Sequence, residues 1–440
     1  IHKFGQLRRT YAGAVGLGGV GNTLRKCELH DAPHLAIASG GTFNLFEYNN
    51  VHHVLLETAD AGAYYSGRDW KRQGCVLRYN YFHDLGRIDG SCVAIYYDDC
   101  GSGEAAYGNI IHKAGLAFLV GGGRDHPIRN NIISSCLSGI SLNSRGMAWA
   151  TFNADPSHNT KKGDRSHLLR ERALTVGYES GAWLDAFPRL ANVMNDNWAM
   201  PFYDPVENNI FIDVKRRLIS VSGGDHFDAA RMAPIAGNLV VSTVGAKNVT
   251  TNVPASVAKG FKILVGTEAN PIDPGVDSLA AGDFQFLPES VLLKECPGFD
   301  VIPFREIPNA SYERDLRDYA SLVKVVDGAK VWTAALQKAL DENERVRIPA
   351  SSETYWIDAP VVVPSGRRIN AHGATISLLK GCNTLMLRNA SAVDGQLKPV
   401  PADAKRDCDI AITGGTWCDW REGRAGYGMS GMFNLEKGRL

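Results

Sequence analysis

Apolar residues along the chain come in short runs broken by glycine, asparagine and charged turns, a pattern that predicts strands rather than helices. The runs repeat. Leu24-Arg-Lys-Cys27-Glu-Leu-His30, Phe46-Glu-Tyr-Asn49-Asn-Val-His52, Leu77-Arg-Tyr-Asn80-Tyr-Phe-His83, Tyr107-Gly-Asn109-Ile-Ile-His112 and Ile128-Arg-Asn-Asn131-Ile-Ile-Ser134 share one pattern, which resumes around Asn209 and Asn238. The anchor positions 27, 49, 80, 109 and 131 are spaced by 22, 31, 29 and 22 residues. A basic period of 22 with surplus residues in some turns predicts an all-β solenoid. Its expected form is a right-handed parallel β-helix with coils about 4.8 Å apart. Asn49, Asn80, Asn109, Asn131, Asn209 and Asn238 then fall at one turn of successive coils, where their amides can bond in a ladder. Alternation points Val51, Phe82, Ile111 and Ile133 inward and His30, His52, His83 and His112 outward.

A second strand aligns Ala36-Ile37, Ala63-Tyr64-Tyr65, Ala94-Ile95-Tyr96-Tyr97, Ala117-Phe118-Leu119 and Gly139-Ile140-Ser141. Two neighbouring coils carry matching insertions just before it, His53 to Gly62 and Asp84 to Val93, which place Asp60 and Asp89 on a raised wall. Beyond the strand, Gly67-Arg68-Asp69-Trp70 stacks over Asp98-Asp99, then over Gly121-Gly-Gly-Arg124-Asp125-His126 and Ser144-Arg145. Carboxylates and guanidinium groups alternate there beside Tyr65, Tyr96 and Trp70. That mixture fits either a surface ion-pair ladder or a carbohydrate groove, where aromatic faces meet sugar rings and charged groups hold hydroxyls. The histidine column, His52 and His83 included, reads as a surface stack or as part of such a groove.

Residues 146–205 break the repeat and predict a lid, side wall or packing appendage, with helix expected over Leu184 to Met194 and a basic stretch at Lys161, Lys162, Arg165, Arg170 and Arg172. Residues 284–308 read as a closing segment. The expected domains are therefore a β-helix over 1–308 and, over 309–440, the N-terminal part of a second β-helix. In the second, Asp327 caps a helix beginning near Ala329, and Trp332, Ala335, Leu336, Ala339 and Leu340 form its apolar face. Gly16-Leu-Gly18-Gly-Val-Gly21 fits a dinucleotide fingerprint only as a string, because strands rather than a helix follow it.

Composition narrows the function. The chain has 440 residues and equal numbers of basic and acidic side chains, 47 each, which argues against a nucleic-acid or polyanion binder. It holds no apolar run of membrane-spanning length. The nine cysteines lack zinc or CxxC spacing, so packing is their expected role and no cofactor is called for. A chain opening on Ile1 reads as a fragment of a longer protein, expected to continue past Leu440.

Thr58-Ala-Asp60-Ala-Gly-Ala-Tyr-Tyr-Ser-Gly-Arg-Asp-Trp70, Asn80-Tyr-Phe-His83-Asp, Ala94-Ile-Tyr-Tyr-Asp98-Asp99, Gly121-Gly-Gly-Arg124-Asp125 and Asn130-Asn131-Ile resemble secreted bacterial right-handed β-helix proteins, and within them glycoside hydrolase family 141. The resemblance covers roughly residues 1–308. It implies hydrolysis of plant cell-wall glycans, with fucosidase and xylanase activities among members, by a pair of aspartates. The matching positions are Asp60 and one of Asp98 or Asp99. It also implies a secreted protein that meets oligo- or polysaccharide; the balanced charge speaks against nucleic acid as a partner, and a monomer is expected. Separately, Asp327, Trp332-Thr-Ala-Ala-Leu-Gln337 and Val346-Arg-Ile-Pro349 resemble the start of a pectate-lyase or polygalacturonase type β-helix.

Glycosidic cleavage requires one carboxylic acid and one carboxylate. On a straight strand Asp60 and Asp98 stand about 20 Å apart, so they pair only if the inserted loop folds back over the groove. Otherwise Asp69 with Asp98 or Asp99 is the better dyad. As neighbours on a strand, Asp98 and Asp99 are expected on opposite faces. Tyr65, Arg68, Trp70, His52, His83, Tyr96, Arg124 and Asp125 are the substrate-binding candidates. Two rivals stand beside the hydrolase. A polysaccharide lyase would use the histidines with Arg68 and Arg124, and calcium enters only with that reading. A non-catalytic glycan-binding solenoid needs no dyad.

Overall fold

The computed structural model describes residues 1–86, 91–145, 168–198, 200–222, 228, 231–232, 234–245, 260–280, 282–308, 313–371, 373–382, 384–390, 407–418 and 433–434. Asp89, Trp149, Lys161, Lys162 and Arg165 lie outside them. The chain divides into two compact units, 1–310 and 311–440.

The first unit is a parallel β-helix. Three sheets run its length, and successive strands of each sheet come from successive coils. Sheet one takes Val15–Leu17, Ile37–Ser39, Ala61–Gly67, Cys92–Asp98, Leu116–Gly121, Ser138–Asn143 and Ile219–Val221. Sheet two begins at Thr23–Arg25 and ends at Ile235–Ala236; sheet three runs from Glu28–His30 to Phe261–Val265. All pairings between coils are parallel, with Ile37, Tyr64, Ile95, Phe118, Ile140 and Ile219 in one register row. Val51, Phe82, Ile111 and Ile133 form an inward column of the core, as the alternation predicts.

The asparagine ladder is present over its whole predicted length. Each Nδ2 donates to the next Oδ1, from Asn49 to Asn80 (2.9 Å), Asn109 (2.9 Å), Asn131 (3.0 Å), Asn209 (3.0 Å) and Asn238 (3.1 Å). The same oxygen also accepts the backbone N–H of the asparagine in the preceding coil, at 2.9–3.1 Å. All six side chains are buried, so each amide replaces water that the turn has lost. The residue before each anchor adopts positive φ, as at Tyr48, Tyr79, Gly108, Asn130, Asn208 and Gly237, which closes the corner in two residues.

In the Gly16–Gly21 string, Gly16 and Leu17 end the strand Val15–Leu17 and residues 18–21 turn from sheet one to the strand Thr23–Arg25 of sheet two, so no helix follows. The outer face of sheet three is covered by residues 276–280 and 282–307, an antiparallel pair (Val276–Ser278 with Asp283–Phe286), a short helix (Val291–Glu295) and a 3-10 turn (Phe304–Glu306). Their Phe284, Phe286, Leu292, Phe299 and Phe304 pack on Tyr81, Ile110, Ile132, Ile210 and Leu239.

The excursion between coils contains short helices at Leu169–Leu174, Gly181–Ala186 and Pro188–Ala191. The single helix expected over Leu184 to Met194 is broken at Phe187-Pro188, where proline opens a new helix instead of continuing one.

The second unit carries a helix, Thr333–Glu342, whose Ala335, Leu336, Ala339 and Leu340 are buried against short parallel strands. Its start corrects the expectation at Asp327. Asp327-Gly328 is the turn of a hairpin joining Lys324–Val326 to Ala329–Val331, with φ of 48° and 80°. Asp-Gly in that conformation is a two-residue hairpin signal, and it takes precedence over the capping reading.

Candidate functional site

The charged edge of sheet one is built by register. Tyr96 lies opposite Tyr65 and Asp98 opposite Gly67. Strand alternation sends Tyr64 and Tyr97 into the core and leaves Tyr65, Tyr96 and Asp98 on the outer face. Gly67, at φ +149°, lets the two coils approach here, since a Cβ would stand 2.2 Å from the Asp98 carbonyl oxygen.

Asp98 is surrounded by donors. Tyr65 Oη donates to its Oδ2 (2.6 Å), Arg145 Nη1 to its Oδ1 (2.8 Å), and Arg68 Nη2 stands 3.8 Å from Oδ2. Asp99 joins the same two guanidinium groups, paired with Arg68 and 3.5 Å from Arg145. The two aspartates therefore do not diverge as strand alternation predicts. The strand ends at Asp98, and Asp99 turns with φ +29°, which swings its carboxylate back to the arginines. Burial, reinforced by the charge of Asp98 and opposed by both arginines, pushes the Asp99 carboxyl above its ordinary range.

Asp60 approaches from the other edge. It adopts φ +52° where the inserted corner meets the strand, and its N–H donates to Ser91 O (3.0 Å). Tyr96 Oη donates to Asp60 Oδ1 (3.3 Å) and accepts from Arg145 Nη1 (2.8 Å), the same nitrogen that reaches Asp98. Links of 3.3, 2.8 and 2.8 Å hold the facing oxygens of Asp60 and Asp98 within about 9 Å. The straight-strand distance does not apply, because long side chains span the gap and the corner folds back. Burial raises the Tyr65 and Tyr96 phenols, and Asp98 adds to both shifts. Both therefore serve as hydrogen-bond donors at neutral pH.

The other sequence candidates lie elsewhere. Asp69 closes the next turn, its Oδ1 accepting from Lys71 N–H (3.0 Å). Trp70 is not a sugar platform. Its ring is buried under the helical excursion with Cys100, Leu169, Tyr178 and Leu190, and its Nε1–H donates to Cys100 O (2.9 Å). Arg124, 1% exposed, donates to Asp196 Oδ2 (2.7 Å) and Asn197 O (3.0 Å), and Asp125 accepts from Arg189 Nε (2.6 Å). Both fasten the excursion to the coils rather than facing the groove. His52 and His83 sit on sheet three, stacked 4.8 Å apart with nearly parallel rings, and bonded to Glu28 and to Asp84 and Asn50. His112 below them is buried against Phe284.

Arg145 is the residue the sequence placed on the ladder but did not assign a role. Its position three coils from Arg68 gave the signal, and its reach across two coils to Asp98 gives the function. His34 and Tyr11, which complete the Asp60 side, gave no signal in the repeat. Among the described residues no cluster of His, Cys, Asp or Glu is arranged to hold a metal ion, and all nine cysteines are free, five of them buried as packing residues.

No family model matches the chain, and no curated protein does. Solved structures that resemble it include a PL6-family alginate lyase (AlyGC), 11% identical with a TM-score of 0.32, covering 93% of this chain and 59% of that one. A PL6-family polysaccharide lyase from Pseudopedobacter saltans is 11% identical with a TM-score of 0.27, over 57% of this chain and 63% of that one. The tailspike protein of E. coli bacteriophage HK620, in complex with a pentasaccharide, is 10% identical with a TM-score of 0.26, over 92% and 60%. The chain thus spans about three fifths of the length of these structures. What defines the class is the topology above, a parallel β-helix with an aspartate–arginine–tyrosine cluster on one sheet edge.

Proposed function

We propose that the first unit is a glycoside hydrolase acting on neutral polysaccharide, with Asp60 and Asp98 as its carboxylate pair. The observation that carries the reading is the Asp60–Tyr96–Arg145–Asp98 chain. It holds two carboxylates from opposite edges of a strand pair within about 9 Å of each other, inside the roughly 9.5 Å limit for a glycosidase pair, and inversion is the outcome we put to the test. Among the described residues Tyr65 and Arg145 donate to Asp98, whose oxygens act as acceptors, and Asp98 takes the role of base toward the attacking water. Asp60 is exposed and, among the described residues, accepts from Tyr96, and it takes the role of acid toward the leaving oxygen. Asp99 and Arg68 complete the charge balance around Asp98. The resemblance to glycoside hydrolase family 141 points the same way, and with it to a secreted monomer acting on plant cell-wall glycans.

Charge argues for a neutral substrate. Among the described residues of the cluster, three aspartates face the guanidinium groups of Arg68 and Arg145, and both of these are ion-paired. A lyase on uronates requires positive charge and a base. Tyr65 and Tyr96, raised by burial, are poor bases near neutral pH.

The test is a screen on xylan, fucosylated and pectic glycans, followed by the anomeric form of the product by NMR. Inverted sugar is expected, with turnover falling at least about a hundredfold in both Asp60→Asn and Asp98→Asn. An unsaturated, ultraviolet-absorbing product, or full activity in Asp98→Asn, would sink the reading.

A further inference from the structure

Tyr11 is a large aromatic side chain left out of the core although it stands beside the site. It is 57% exposed. Its ring lies 4.9 Å from the His34 ring and 6.1 Å, edge on, from Tyr65, whose hydroxyl holds Asp98. His34 in turn lies within the field of Asp60, which opposes the lowering of its pKa by burial. Tyr11 therefore stands one side chain away from Asp98, through Tyr65, and next to the His34 ring that feels the charge of Asp60.

The placement is fixed rather than loose. Tyr11 N–H donates to His34 Nδ1 (3.4 Å), which assigns Nδ1 as the acceptor and leaves the ring proton on Nε2. The Tyr11 backbone adopts φ +51°, a left-handed conformation that a bulky residue takes only when its surroundings enforce it. Two residues on, Gly13 lies so close to the next coil that a Cβ would meet Leu35 Cδ1 at 2.6 Å and Ala36 O at 3.0 Å. The segment is laid tightly along the coil, and the exposed ring is held by its edge and backbone.

We infer that Tyr11, with His34 beneath it, forms a sugar-binding subsite next to the carboxylate pair, taking the apolar face of a neutral pyranose. A rigid ring with one free face loses little entropy on binding and desolvates readily. Asp60, exposed nearby, offers a polar partner for hydroxyl groups, while buried His34 holds the Tyr11 backbone. The inference rests on the hydrolase reading for its substrate class, and the readouts below separate the two.

The measurement is titration of the full chain with neutral oligosaccharides of increasing length, followed by isothermal calorimetry, beside kinetics on whichever of them is cleaved. Tyr11→Ala is expected to weaken binding and raise KM about three- to tenfold with kcat nearly unchanged, and Tyr11→Trp or Tyr11→Phe to restore both. Thermal melting of each variant separates a fold defect from a lost contact, because Tyr11→Phe keeps the ring. Equal binding by Tyr11→Ala and the unmodified protein would overturn the subsite while leaving the hydrolase intact. Binding that depends on Tyr11 with no turnover of any neutral glycan would overturn the hydrolase and keep the subsite. No binding of any neutral oligosaccharide by the unmodified protein would overturn the subsite outright.

Discussion

Asn109 shows how much one residue does in a solenoid. Its Oδ1 accepts both the backbone N–H and the Nδ2 of Asn80, and its own Nδ2 donates to Asn131 Oδ1 and Leu77 O. Replacement by leucine, of similar size, strands both Asn80 donors inside the stack. At about 1–3 kcal/mol for each stranded group, Asn109→Leu is expected to cost about 2–6 kcal/mol, read as a lowered melting temperature. The cost should exceed that of the same change at Asn238, which accepts the same two groups from Asn209 but ends the ladder, its Nδ2 donating to Val206 O and not to a further asparagine. The repeat made this residue legible, because it recurs at one phase of every coil. Arg145 was harder to read, since its meaning depends on how far a side chain reaches across coils.

At the scale of elements, the helical excursion is bound to the coils by a few ion pairs, one of them at the buried Arg124. Arg124 and Arg231 both pair with Asp196, Arg189 pairs with Asp125, and Trp70 anchors the apolar patch between them. Asp196→Ala leaves the Arg124 guanidinium buried without its carboxylate. A loss of about 3–5 kcal/mol is expected, with faster proteolytic cleavage within residues 168–198 as the local readout. Activity should fall as well, because Trp70 Nε1–H holds Cys100 O, one residue past the Asp98-Asp99 turn. No periodicity in the excursion announced this role. Its helices are short, and their partners lie 64 to 73 residues away in sequence.

At the scale of the whole molecule, three histidines give the fold an acid limit. Burial lowers His83 and His126 to about 4 and His112 to about 3. Asp84 opposes the shift at His83 and His112, while Lys113 and the neighbouring imidazoles add to it. In the unfolded chain an imidazole takes up its proton near pH 6.5. The folded protein therefore binds fewer protons than the unfolded chain between pH 6.5 and about 4, so stability is full above pH 6.5 and declines as pH falls through that window. Each histidine contributes up to about 1.4 kcal/mol per pH unit there. Melting temperature measured from pH 7.5 to 4.5 should fall steeply, and His112→Asn should flatten the slope. A flat profile in the unmodified protein would contradict the buried, neutral imidazoles.

The sequence by itself determined the solenoid. A residue that recurs every coil occupies the same place in every coil, so period, ladder and inward column follow from counting. It also located the charged edge of sheet one, because strand phase carries over from the asparagine anchor to the next strand. Only the tertiary structure decided which of those charges meet. Asp99 turns back toward Asp98 because the strand ends one residue earlier. Trp70, Arg124 and Asp125 disappear under a segment with no periodic signal. Asp60 reaches the Asp98 cluster through Tyr96 and Arg145, a path set by side-chain length and corner geometry that spacing along a strand does not encode.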